Sequence, residues 1–393
     1  MSNSLSRRPG LLARGRDAAL LAVFALLPLV GLVAGPSYAP LLFGLAVLSC
    51  LSRLAAARRD WPRLDRILAL ISLLFLGLCA LGLSGSVAPA VTATKLLQLG
   101  LILLGCLLLL TQPPPQRLAR LFQWLLMASA LGVLLLCADT VMGYPLQRWL
   151  SHGAANAATK YNRGVIALVL LAWPLLAYFM VAGKRRHALL LAALAVLAVT
   201  VGLSSTGVAA LVAGAVIWVL ALIAPRATAA LLGGGMAILA LALPFALSAL
   251  QTWRERLAPI LKSSGLHRLE IWDYMSLRIQ ERPWTGWGLG AANWVPVPAD
   301  GLLRYRYVSP DGVYPHNQWV ELWLETGLPG VLLGLSLVAL VLWRCRGVPL
   351  AMAALASALA VSLLNFEITT DSWWAALAAT ALLFKFQFPT RNM

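Results

Sequence analysis

Twelve runs of mostly apolar residues, each close to the length of a bilayer-spanning helix, limit what this chain can fold into. They fall at 17–35, 38–56, 66–84, 91–111, 118–142, 164–182, 187–203, 206–224, 227–250, 328–344, 348–366 and 371–388. In hydrocarbon every backbone N–H and C=O must find its partner within the protein, so each run must be helical. A water-soluble reading fails on composition, because 61% of the residues are hydrophobic and 11% charged, where a soluble domain carries about a quarter charged. The expected fold is an all-α integral membrane protein of about 12 transmembrane helices, forming one polytopic domain over residues 1–393.

The basic residues orient this bundle. With the N-terminus in the cytoplasm, the inner segments hold 19 of the 31 Lys and Arg, while the short outer loops Pro36–Pro40, Gly85–Ala90 and Ser204–Thr206 hold none. That asymmetry predicts two cytoplasmic termini. Arg7, Arg8, Arg14 and Arg16 precede an apolar run from Ala18 that outlasts a cleavable core, which reads as a retained signal anchor. The net charge of +17 is thereby explained by topology, with no basic face or aromatic-basic motif for nucleic acid. Cys50, Cys79, Cys106, Cys137 and Cys345 lie within or at the ends of apolar runs and read as small lipophilic filler.

Two outer segments are longer. One runs from Asp139 to Arg163; the other, 251–317, is the longest polar stretch and reads as a large periplasmic loop carrying part of an active site. Eleven of the fourteen acids lie on the predicted outer side. No Asp-x-Asp pair, no phosphate loop ending in Lys-Ser or Lys-Thr and no His-Glu-x-x-His helix occurs, so neither a metal nor another cofactor is expected.

The sharpest local signal is His316-Asn317 followed by Gly327 and Gly330. Trp319, Leu322 and Trp323 recur at helical spacing, which predicts a short amphipathic interfacial helix over 318–326, broken by Gly327 and Pro329 before the next span.

This pattern resembles the O-antigen ligase and polymerase family, whose signature is His, then Asn, Ser or Gln, nine residues, Gly, two residues, then Gly, Thr or Tyr. Arg268-Leu-Glu-Ile-Trp272 and Glu281-Arg-Pro-Trp-Thr-Gly286-Trp-Gly288 are similar to the family's large-loop pattern, and Lys160-Tyr-Asn162-Arg163 looks like its other arginine site. Where many members have an arginine after a serine, this chain reads Ser204-Ser205-Thr206-Gly207 and supplies no third arginine.

The resemblance implies a GT-C-like, metal-independent, inverting glycosyltransferase of a Gram-negative inner membrane, with its active site facing the periplasm. It implies an undecaprenyl-diphosphate-linked glycan as donor, lipid A-core as acceptor, and membrane lipids as surroundings. His316 is then the general base, and Arg163 and Arg268 grip the leaving diphosphate, with Lys160 and Asn317 also binding substrate. Arg254, Arg256, Lys262, Arg278, Arg282, Arg304 and Arg306 could attract anionic substrates, and Trp272, Trp284, Trp287, Trp294, Tyr305, Tyr307 and Tyr314 could stack on sugars. An O-antigen polymerase is the alternative, with a protein-glycan ligase or a lipid-glycan transporter further removed.

Overall fold

The computed structural model describes residues 11–34, 37–55, 64–152, 157–257, 259, 263–297, 308 and 314–388. Lys262, Arg304, Arg306, Tyr305 and Tyr307 lie outside the described residues. The helices are α1 (Leu11–Val33), α2 (Tyr38–Ala55), α3 (Arg66–Leu81), α4 (Pro89–Leu110), α5 (Leu118–Val141), α6 (Pro145–Leu150), α7 (Asn162–Val181), α8 (Arg185–Val201), α9 (Ser205–Ile223), α10 (Pro225–Gln251), α11 (Arg254–Leu257), α12 (Ser263–Glu281), α13 (Gln318–Cys345), α14 (Pro349–Leu364) and α15 (Asp371–Gln387). No strand occurs among the described residues.

Among the described residues, seven helical stretches are long and apolar enough to cross a membrane: Arg66–Gly85, Pro89–Leu110, Leu118–Val141, Ala157–Val181, Ser205–Ile223, Pro225–Leu250 and Gln318–Cys345. Asp17–Val33, Tyr38–Leu54 and Pro349–Leu364 are shorter apolar helices. The chain is thus an all-helical protein with the makeup of an integral membrane protein. Every one of the twelve apolar runs coincides with a helix, but several are too short to count as spans by length and composition.

The chain divides into two compact units. Unit 1 comprises Met1–Asp65, Leu104–Val208 and Trp374–Met393, and unit 2 comprises Arg66–Leu103 and Ala209–Trp373. In unit 1, α1 packs on α5 and α7, and α8 packs on both α5 and α7. The first part of α7, Gly164 to Leu175, is buried throughout, which suits a helix that is apolar on every face. In unit 2, α12 lies against α10 and α13, and α13 also contacts α3 and α14.

The stretch read as one large loop therefore contains the 19-residue helix α12, whose mean hydropathy is far below that of the spans. Ile271, Tyr274, Met275 and Ile279 of α12 join Met236, Ala240, Leu243 and Leu247 of α10, and Val320, Trp323 and Leu324 of α13, in one apolar core. This burial makes α12 a structural member of unit 2.

The kink in α13 follows from main-chain accounting. Gly327 takes φ 65° and ψ −165°, which breaks the helix. Pro329 has no N–H to offer the carbonyl four residues back, at Glu325. Residues 283–288 fill the deficit: Trp287 N–H donates to Leu324 O at 2.8 Å, Gly288 N–H donates to Glu325 O at 3.1 Å, and Leu328 N–H donates to Pro283 O at 2.8 Å. A Cβ on Gly327 would come within 2.6 Å of the Trp284 main chain, so only glycine allows this approach.

Candidate functional site

His316 lies two residues before the start of α13 at Gln318. Asn317, in extended conformation, caps that helix: its Oδ1 accepts from Trp319 N at 3.0 Å and Val320 N at 3.2 Å. Such a cap satisfies amides that have no partner inside the helix. Asn317 is 2% exposed, so its oxygen is committed to holding the helix start. His316 itself adopts φ 51°, a left-handed conformation rare for a side-chain-bearing residue. Such outliers persist where the surroundings determine them, often at functional positions.

The surroundings are visible. Trp272 of α12 donates Nε1–H to the carbonyl of Pro315 at 2.6 Å, tying α12 to the residue before the histidine. Arg268 stands one helical turn before Trp272 and so shares its face. Tyr314 meets the imidazole edge-on, with ring centroids 4.2 Å apart. His316 is half-buried, and its Nδ1 is buried with no hydrogen-bond partner among the described residues.

Burial first, then the charge of Arg268, then His267, push the His316 pKa down to about 4. The imidazole is therefore neutral across the physiological range, where an ordinary histidine titrates between about pH 6 and 7. Its lone pair is free at neutral pH. Burial also lowers the pKa of Arg268, with Tyr314 a smaller opposing influence, but a guanidinium stays charged.

The helix over 318–326 differs from the amphipathic interfacial one expected. Every residue from Trp319 to Gly327 is buried. The two tryptophans are held internally: Trp319 Nε1 donates to Ser362 Oγ at 3.0 Å and Trp323 Nε1 to Ala240 O at 2.7 Å. Glu321, 4% exposed, accepts from Ile368 N at 2.9 Å. Lys95 bridges to Glu367 at 3.5 Å and donates to Thr369 Oγ1 at 3.1 Å. Residues 283–290 and 365–370 wrap the helix, and hydrophobic spacing alone carries no trace of them.

Of the other residues singled out, Trp284 and Trp294 are exposed, whereas Trp287 is buried with Nε1 donating to Arg278 O at 2.9 Å. Arg282 donates to Gly85 O at 2.9 Å and stacks over Trp287 at 4.0 Å from the ring centroid, and Arg278 pairs with Glu281 at 2.7 Å. Arg268, His316 and Asn317 belong to unit 2, brought together through Trp272. Lys160 and Arg163 belong to unit 1, both exposed, and Ser204 of the same unit donates to Asn162 Oδ1 while capping α9 through Gly207 N at 2.9 Å. Trp272 as the tether of the histidine is the residue that sequence reasoning missed; its Arg-x-x-x-Trp spacing was the available signal. No group of three metal-binding side chains occurs among the described residues.

Residues 188–335 match the family model described as O-Antigen ligase. A Rickettsia felis protein named "Putative polysaccharide ligase" is 26% identical over 200 residues, 48% of this chain and 49% of that protein. A Rickettsia bellii protein of the same name is 25% identical over 279 residues, covering 68% of this chain and 65% of the relative. A Rickettsia typhi relative is 32% identical over 79 residues, 20% of each chain. The chain spans about half the length of the first of these relatives, at 49%. Arg268, His316, Asn317, Gly327 and Gly330 all fall within the matched segment, and Lys160 and Arg163 precede it.

Proposed function

We infer that this chain, a member of the O-antigen ligase family by its residues 188–335, is an O-antigen ligase of a Gram-negative inner membrane. It transfers a glycan from undecaprenyl diphosphate to a sugar hydroxyl of lipid A-core at the periplasmic face. The observation that carries this reading is the tethered, neutral imidazole of His316 beside the cation of Arg268. The acceptor oxygen attacks the anomeric carbon as the bond to the diphosphate oxygen breaks. The hydroxyl proton passes to His316, and the diphosphate leaves with its negative charge met by arginine. Attack opposite the leaving group inverts the anomeric centre.

A neutral imidazole supports the role of base because it need not first lose a proton. Its weak basicity favours a proton transfer concerted with bond formation, when the attacking oxygen is most acidic. Arg268 supplies a planar fork matched to phosphate oxygens. Arg163 and Lys160 are further donor-binding cations on the strength of the resemblance. Asn317 acts through His316, as the cap that fixes the helix start.

The test is transfer by purified protein in detergent with both lipid substrates and EDTA. Product is expected from wild type; His316→Ala should lose it while retaining donor binding. Rescue of an EDTA-silenced enzyme by Mn²⁺ would overturn the metal-independent mechanism. A fully active His316→Ala protein would move the base elsewhere. Deletion of the gene should leave polymeric glycan on undecaprenyl diphosphate and bare lipid A-core; core capped with a single repeat would instead identify a polymerase.

A further inference from the structure

The segment bearing Lys160 and Arg163 is clasped at three points, all within unit 1. Tyr161, 1% exposed, donates its hydroxyl to Asp139 Oδ2 at 2.7 Å. Asp139, 2% exposed, also accepts from the amides of Leu146 at 2.6 Å and Gln147 at 3.3 Å. Those amides return to the carboxylate because Gly143 and Tyr144, with φ of 77° and 66°, reverse the chain after α5. Gln147 extends the clasp, its Nε2 donating to Val33 O at 2.9 Å. The second point is Asn162, held by the Ser204 hydroxyl. The third is Gly164, seated so closely on the main chain of Gly31 and Leu32 that a Cβ would overlap it.

The pattern of burial along this segment is selective. Tyr161 and Gly164 are buried and Asn162 half-buried, whereas Lys160 and Arg163 are exposed. Three residues apart across a junction from 3-10 to α-helix, the two cations share one side of the chain. A buried carboxylate is costly unless it is fully hydrogen-bonded. Here two amides and a phenol satisfy it with charge-assisted bonds, which are the strong kind. A long, flexible lysine or arginine contributes most to phosphate binding when its backbone is already fixed.

We propose that Asp139 is a positioning residue for the donor: through Tyr161 it fixes the backbone from which Lys160 and Arg163 reach the diphosphate. The proposal rests on the ligase reading and adds a residue to it. Asp139 touches no substrate; it acts by way of the Tyr161 hydroxyl.

The experiment compares wild type, Tyr161→Phe and Asp139→Asn, with Tyr161→Phe losing a single oxygen so that the protein folds. Kinetics are measured with donor and acceptor varied separately, alongside equilibrium binding of farnesyl diphosphate in detergent. The expected result is a rise in donor KM of roughly fivefold for Tyr161→Phe and about tenfold or more for Asp139→Asn. The kcat and the acceptor KM should stay within about twofold of wild type, and the farnesyl diphosphate Kd should weaken in parallel with the donor KM. Tyr161→Phe added to a Lys160→Ala/Arg163→Ala double variant should weaken donor binding no further than that double variant alone, because the clasp acts through those two cations. An unchanged donor KM in Tyr161→Phe overturns the proposal, as do additive effects or a uniform fall in all parameters with the melting temperature. If wild type neither binds farnesyl diphosphate nor transfers glycan, the ligase reading itself fails and takes this inference with it. Active wild type beside an unaltered Tyr161→Phe fails the inference alone.

Discussion

Replacing Asn317 separates two roles that the same residue could play. Its Oδ1 accepts two amide hydrogens, from Trp319 at 3.0 Å and Val320 at 3.2 Å, in a setting only 2% exposed. Losing a cap of this kind costs about 1–2 kcal/mol, and the buried site places Asn317→Ala at the upper end. In a protein of this size that corresponds to a fall in melting midpoint of about 1–3 °C, measured by thermal unfolding in detergent. Because the frayed first turn begins beside His316, transfer should also fall, by roughly tenfold. Asn317→Ser keeps an oxygen at the cap and should restore the midpoint to within about 1 °C and activity to within about threefold. If Asn317→Ser and Asn317→Ala are equally inactive with wild-type melting midpoints, capping is not what Asn317 contributes, and its amide must act on the substrate.

The pH profile tests the environment of His316: kcat/KM, which reports the free enzyme, should stay flat through neutrality and fall only as pH drops through about 4, where the lone pair is protonated. A limb near 6.5 would show that burial and Arg268 do not govern the imidazole. Arg268→Lys retains the charge but loses the planar fork, and should lower kcat/KM for the donor by about tenfold or more; wild-type kinetics would refute bidentate binding. Gly327→Ala forces a side chain into φ 65° and against the Trp284 main chain, at a cost of roughly 3 kcal/mol or more. Its monodisperse yield in size exclusion should collapse, and a normal yield would contradict the observed kink.

Much of this architecture was legible because membrane helices declare themselves by length and apolarity. The helix start after Asn317 was legible from residues at helical spacing, but the resemblance assigned Asn317 to substrate binding, and its capping of Trp319 and Val320 needed the structure. The surroundings of that helix were not legible. An amphipathic helix over 318–326 would leave one face polar, yet Glu321 and Glu325 are both buried, Glu321 accepting from the amide of Ile368 far along the chain. The lowered pKa of His316 was equally hidden: a sequence yields the ordinary value, while desolvation and the Arg268 charge arise only when α12 meets α13. Trp272 invited a sugar-stacking role by residue type, and its bond to Pro315 needed the tertiary arrangement. Asp139 looked like one more acid at a helix end until Tyr161, 22 residues later, returned to it.

The main-chain exchange at Gly327 also bears on how the protein is made. Residues 283–288 leave the ribosome before α13, so their N–H and C=O partners do not yet exist. When Gln318–Cys345 emerges, the carbonyls of Leu324 and Glu325 are open until Trp287 and Gly288 dock on them. A helix with open carbonyls partitions poorly into hydrocarbon. Closing these carbonyls therefore requires a segment translated earlier, and lesions in 283–288 are expected to register as a defect of the downstream span. Cellular proteases would then reduce the amount of protein, while each surviving molecule works at its normal rate.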